Sequence, residues 1–112
     1  MNVSPTVSVL IVNLNGRHLL DECLASLIAQ DYPADKVEIV VVDNGSIDDS
    51  VAYLHERYPA VKVIEAGSNR GFAGGNNLAA AAATGDYLAL INNDARADPQ
   101  WLRALVTALD ED

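Results

Sequence analysis

Apolar positions along this chain fall into short blocks separated by stripes of helical period. Val7 to Val12, Val37 to Val42, Val61 to Glu65 and Asp86 to Ile91 are blocks rich in Val, Ile and Leu, and they read as strands. In Val37 to Val42 the apolar character is continuous rather than alternating, which is what a parallel strand covered on both faces requires. Between the first two blocks, Arg17 to Gln30 carries Leu19, Leu20, Cys23, Leu24, Leu27 and Ile28 at helical spacing, and Pro33 closes the unit. Ser46-Ile47-Asp48-Asp49 predicts a capping box for a helix reaching about Tyr58, with Pro59 as its stop. Phe72 to Thr84 predicts a third helix through its alanine run, ended by Gly85 in a left-handed cap. The last helix is expected to hold Pro99 in its first turn and to carry Trp101, Leu102, Leu105, Val106 and Leu109 on its inner face. The resulting order, βαβαβαβα with connections of helical length, predicts an α/β fold with a parallel, Rossmann-like sheet and right-handed crossovers.

Residues 1–112 form one expected domain with no linker. A net charge of −9 excludes sequence-independent binding to nucleic acid or to an anionic membrane surface, so no nucleic-acid partner is expected. Cys23 is the only cysteine, which rules out an intrachain disulfide, and its place in an apolar stripe predicts a buried, inert thiol. No secretory apolar segment opens the chain and no apolar run approaches the ~20 residues of a membrane span, which makes a cytoplasmic location the expectation. The acidic end, Asp110-Glu111-Asp112, directly follows a helix whose dipole it opposes, and it is read as a truncation.

The chemistry concentrates where strands end. Tyr87-Leu88-Ala89-Leu90-Ile91 runs into Asn92-Asn93-Asp94, and Val37 to Val42 runs into Asp43-Asn44-Gly45-Ser46. Open α/β sheets bind ligands at the carboxyl ends of their strands, and hard oxygen donors there suit Mg²⁺ or Mn²⁺. Each tip also has a plainer reading: Asp-Asn-Gly-Ser is good turn chemistry, and Asn92 to Asp94 could cap the helix that follows. Arg70 could reach a phosphate or remain a solvated charge, and Asn77 is expected to tie its loop to a strand tip. His18 and His55 have no partners at metal-ligand spacing and read as surface residues. A receiver-like signalling domain with Asp43 as phosphoacceptor would need an acidic pair after the first strand, and Asn13-Leu14-Asn15-Gly16 supplies none.

Four motifs in order resemble the nucleotide-sugar-binding half of glycosyltransferase family 2, the inverting transferases of GT-A fold. Val7 to Asn15 is similar to the family's opening strand, with Val12, Asn13 and Leu14 in place of the usual Pro, Thr and Tyr. Val42-Asp43-Asn44-Gly45-Ser46-Ile47-Asp48-Asp49-Ser50 resembles its V-D-D-G-S-x-D-x-S signature with Asn44 as the one change. Asn69, Gly71, Asn77, Gly85 and Tyr87 fit a third motif without a gap. Asn92 and Asp94, seven and five residues before Pro99, fall on its D-x-D metal signature, with an amide as the first member. The segment Asn69 to Asn77 is most similar to the rhamnosyltransferase branch.

This resemblance implies an inverting glycosyltransferase, seen in its donor-binding portion and serving cell-surface polysaccharide synthesis. It implies that Asn13, Asn15, Asp43, Asn44, Ser46, Arg70 and Asn93 bind the nucleotide sugar. Asp94 and Asn92 would hold Mg²⁺ or Mn²⁺ against the diphosphate, where a bare carboxylate would repel it. The implied partners are a nucleotide-diphosphate sugar donor and a glycan or lipid-linked acceptor, at the inner face of the membrane in a full-length protein. The general base is expected beyond the metal motif, so none is named. The alternative is a non-catalytic nucleotide-sugar-binding module. A half-fold would leave apolar surface uncovered, which predicts self-association.

Overall fold

The computed structural model describes residues 4–111, and Asp112 of the acidic end lies outside them. Four strands, β1 (Val7–Asn13), β2 (Val37–Asp43), β3 (Lys62–Glu65) and β4 (Tyr87–Leu90), alternate with four helices, α1 (Arg17–Ile28), α2 (Ser50–Arg57), α3 (Gly71–Ala82) and α4 (Trp101–Asp110). All pairings are parallel and the spatial order is β3-β2-β1-β4, so the chain reverses its direction of travel across the sheet after β3. The point of reversal lies between β1 and β4, where α/β sheets open a crevice for ligands.

The continuous apolar runs of β1 and β2 are explained by cover on both faces. Val7, Val9, Ile11 and Val41 point into one core with Leu20, Cys23, Leu24, Leu27, Leu54, Leu102 and Val106, so α1, α2 and α4 share that side. Leu10, Val40 and Val42 point the other way, toward Ala66 and toward Ala79 of α3. α3 reaches the sheet because its buried face is Gly75, Asn76 and Ala79: a Cβ on Gly75 would stand 2.9 Å from both methyls of Val12. β4 lies beyond this cover. Leu88 and Leu90, in register with Ser8 and Leu10 on the α3 side, remain 45% and 52% exposed.

Three terminal signals behave differently from expectation. No capping box forms at Ser46: α2 begins at Ser50, and Asp48 Oδ1 accepts from the Ser50 N–H at 3.0 Å instead. Pro99 stands before α4 rather than in its first turn, with Gln100 at the N-cap. Gly85 does not cap α3, which ends at Ala82 with an extended Ala83. Its lack of a side chain serves packing, since a Cβ there would meet the Ser8 nitrogen at 2.6 Å.

Candidate functional site

The last residues of β1 and β2, Asn13 and Asp43, are paired neighbours in the parallel register, and both are buried. Asn13 Nδ2 donates to Asp43 Oδ1 at 3.1 Å. Asp43 also accepts from the Ser46 hydroxyl on Oδ1 at 2.6 Å and from the Ser46 N–H on Oδ2 at 2.8 Å. A buried carboxylate is costly unless hydrogen bonds offset its desolvation, and here three bonds from neutral donors do so. The ion pairs of the described residues, Arg17 with Asp21 and Asp49, Arg96 with Glu22, and Arg103 with Asp31, all lie elsewhere. Asp43 Oδ2 takes only one bond, so it keeps acceptor capacity for an incoming N–H or O–H.

The loop after β4 joins the same group. Asn93 Nδ2 donates to Asn13 Oδ1 at 3.0 Å, which links the Asn92-Asn93-Asp94 segment to Asp43 through a single amide. Two strand tips and the segment beyond a third strand thereby meet at the carboxyl end of the sheet. Gly16 makes the contact possible, because a Cβ there would fall 2.3 Å from Asn93 Nδ2 and 2.5 Å from Asn13 Oδ1. Sequence reasoning missed Gly16, although a glycine immediately after the first strand tip was a visible sign of close approach.

Asn15 and Asn44 brace the surrounding loops. Asn15 adopts a left-handed φ of 53° and accepts from the Ile47 and Asp48 N–H groups at 2.8 and 3.3 Å, while its own N–H donates to Ser46 Oγ at 2.8 Å. Asn tolerates that backbone region because its short amide can bond locally. Asn44 Nδ2 donates to the Gly71 carbonyl at 3.0 Å, fastening the start of α3 to the β2 tip. That is the tie expected of Asn77, which is exposed and makes no side-chain hydrogen bond among the described residues. Gly45, at φ +90°, turns the chain where a Cβ would press on the Ser68 backbone at 3.2 Å. Arg70 folds back, donating through Nε and Nη2 to the Ala66 carbonyl at 3.2 Å each.

Asp94 and Asn92 are both exposed, and among the described residues no group of three or more His, Cys, Asp or Glu is placed to hold a metal ion. One carboxylate with a neighbouring amide fits a hard cation shared with phosphate oxygens and water, and does not fit a cage made by protein alone. Cys23 lies beneath this segment, its thiol donating to the Asn92 carbonyl at 3.6 Å. Burial, helped by the nearby Asp94 charge, pushes that thiol up to about 11, so it is inert as expected. His18 and His55 are exposed, and Trp101 packs against the core. An apolar cavity of about 350 Å³ lies at the opposite, amino end of the sheet, lined by Leu27, Ile28, Tyr32, Ile39, Tyr58 and Val61, and none of the polar tip residues reaches it.

The family described as Glycosyl transferase family 2 matches residues 8–112. An uncharacterized glycosyltransferase of Haemophilus influenzae is 32% identical over 99% of the chain and 35% of its own length. The poly(ribitol-phosphate) beta-glucosyltransferase of Bacillus spizizenii is 36% identical over 79% of the chain and 14% of its own length. Among solved structures, S. aureus TarS 1–349 in complex with UDP-GlcNAc superposes with a TM-score of 0.85 at 27% identity, over 95% of the chain and 31% of that TarS chain. The mannosyltransferase PcManGT of Pyrobaculum calidifontis, in complex with GDP-Man and Mn²⁺, superposes at 0.81 with 33% identity, over 96% of the chain and 32% of its own. The chain spans about a third of the length of the first curated relatives it matches.

Proposed function

The chain belongs to glycosyl transferase family 2, and from that premise we propose that it is the donor-binding portion of an inverting glycosyltransferase that takes its sugar from a nucleoside-diphosphate carrier. The observation that carries this reading is the hydrogen-bonded line from Asp43 through Asn13 to Asn93, which puts an acceptor with spare capacity and the Asp94 loop on one rim. Asp43 receives a donor group of the nucleoside, and Ser46, Asn13, Asn15 and Asn44 hold it and its loops in place. Arg70 would leave the Ala66 carbonyl to reach a phosphate. Asp94, with Asn92 beside it, would hold Mg²⁺ or Mn²⁺ jointly with the diphosphate, and such an ion supplies Lewis-acid stabilisation of the leaving group. The nucleotide sugars bound by TarS and PcManGT support a donor of this class, and the Mn²⁺ of PcManGT supports the cation.

The segment Asn69 to Asn77 favours the rhamnosyltransferase-like branch, so dTDP is the first nucleotide to try. Cell-surface polysaccharide synthesis, with a glycan or lipid-linked acceptor, is the role this donor chemistry suits. The exposed edge at Leu88 and Leu90 supports self-association of the isolated chain, which light scattering would register. Calorimetric titration of UDP, dTDP and GDP with and without Mn²⁺ tests the reading. At least one should bind, and more tightly with the ion. Binding of none would overturn the proposal, and equal affinity with and without Mn²⁺ would remove the metal role from Asp94. Binding without sugar transfer by the full-length protein would leave a nucleotide-sugar-binding module.

A further inference from the structure

Asn93 differs from the residues on either side of it. Asn92 and Asp94 are exposed, whereas the Asn93 side chain is half-buried and spends an amide N–H on Asn13. Asn13 is 0% exposed, and both ends of its amide are engaged. Its oxygen accepts from Asn93 at 3.0 Å, and its nitrogen donates to Asp43 Oδ1 at 3.1 Å with Ser46 Oγ at 3.5 Å. A carboxylate only accepts, so Asp43 takes the nitrogen end of Asn13, and the N–H of Asn93 on the oxygen end locks the amide in that orientation. Turned over, Asn13 would set its oxygen against Asp43 Oδ1, leaving two buried acceptors without a proton between them. Gly16 reserves the space in which this line is made.

We infer that Asn93 is a positioning residue that works through Asn13 on Asp43, so that the loop of the cation site and the nucleoside carboxylate behave as one hydrogen-bonded unit. The inference rests on the nucleotide-sugar reading for its consequence in binding. The observations that carry it are the two amide bonds and the glycine that admits them.

The test compares the full-length protein with its N93A, N13A, N13A/N93A and G16A variants, each first shown to melt cooperatively by circular dichroism. Two ligands separate the roles: a nucleoside diphosphate touches both Asp43 and the cation loop, while inorganic pyrophosphate with Mn²⁺ touches the loop alone. In N93A, affinity for the nucleoside diphosphate should fall about tenfold, while pyrophosphate with Mn²⁺ binds as before. N13A/N93A should be no weaker than N13A, because residues acting through one another are not additive. G16A should reproduce N93A by steric means. Equal losses for both ligands, additive losses in the double variant, or no loss would overturn the inference. A readout without ligand is the Asn13 side-chain amide in proton exchange by NMR, slow in the parent and faster in N93A. An unchanged Asn13 signal would also overturn it. If the parent protein binds no nucleoside diphosphate, the functional reading falls, and the Asn13 signal still decides whether the unit exists.

Discussion

At the amino end of the sheet Ser8 and Glu38 are register partners across β1 and β2, and at the carboxyl end Asn13 and Asp43 are. Each pair is a small polar residue on β1 beside an acid on β2, yet the two ends are finished differently. Glu38 accepts from the Ser8 hydroxyl at 2.7 Å, the Thr84 N–H at 3.0 Å and the Thr84 hydroxyl at 3.2 Å, and Ser8 in turn accepts from the Gly85 N–H at 2.9 Å. Two of the three bonds to Glu38 come from Thr84, in a short connection packed so closely that no side chain fits at Gly85. Asp43, with the same division of two bonds on one oxygen and one on the other, is held by Ser46 and Asn13. One end uses the acid to close the fold around the α3–β4 connection. The other ties its acid to the loop after β2 and, through Asn13, to the segment after β4. The comparison teaches that two acids with the same number of bonds are told apart by where their donors come from, a connection packed shut at Gly85 or loops that meet at the carboxyl rim.

The largest separation between the ends should come from Asp43→Ala. Loss of a charged acceptor in a buried site is expected to weaken nucleoside-diphosphate binding about 100-fold, read by calorimetry. The opposite result is expected from Gly85→Ala, whose methyl would collide with backbone at Val7 and Ser8. It should cost about 1–3 kcal/mol in denaturant unfolding and leave nucleotide affinity in the folded fraction unchanged. If Gly85→Ala weakened nucleotide binding as much as Asp43→Ala, the two ends would not be separate.

A smaller effect concerns pH. Burial pushes the Glu38 carboxyl up, but the bonds from Ser8 and Thr84, with the Lys62 charge, outweigh it and hold the group below the usual glutamate range. A depressed folded value means stability that is present above the unfolded pKa and lost as pH falls through the folded one. Glu38→Gln should therefore flatten the acid limb of the stability profile relative to the parent, with no change at the carboxyl end. The smallest effect is expected at Cys23, whose raised thiol should resist iodoacetamide at pH 8 until the protein is unfolded, as mass spectrometry would show. Alkylation at the rate of a free thiol would place the Asn92–Asp94 segment further from α1 than the structure has it.

Much of the fold was legible because burial on both faces leaves a continuous apolar record, and β1 and β2 carry it almost residue for residue. The helix stripes were equally plain, and Leu20, Cys23, Leu24 and Leu27 are the buried face of α1. Errors fell at element ends, where one residue type serves several purposes. Ser46 has the chemistry of a cap, but its hydroxyl is more strongly claimed by Asp43, so the helix starts four residues later. Gly85 has the chemistry of a helix stop, but the approach of Ser8 is what forbids a side chain there. Asn77 and Asn44 could each have tied α3 to a strand, and which one does so depends on which side of the helix meets the sheet.

From the sequence alone came the α/β class, the parallel character of the strands and the set of polar tips, since these follow from local periodicity and from where apolar runs end. Only the tertiary structure decided that β4 inserts beside β1, that Asn93 therefore meets Asn13, and that Asp43 is left with one acceptor site open. Those outcomes depend on contacts between residues up to 80 positions apart, and strand order and side-chain register are properties of the packed whole.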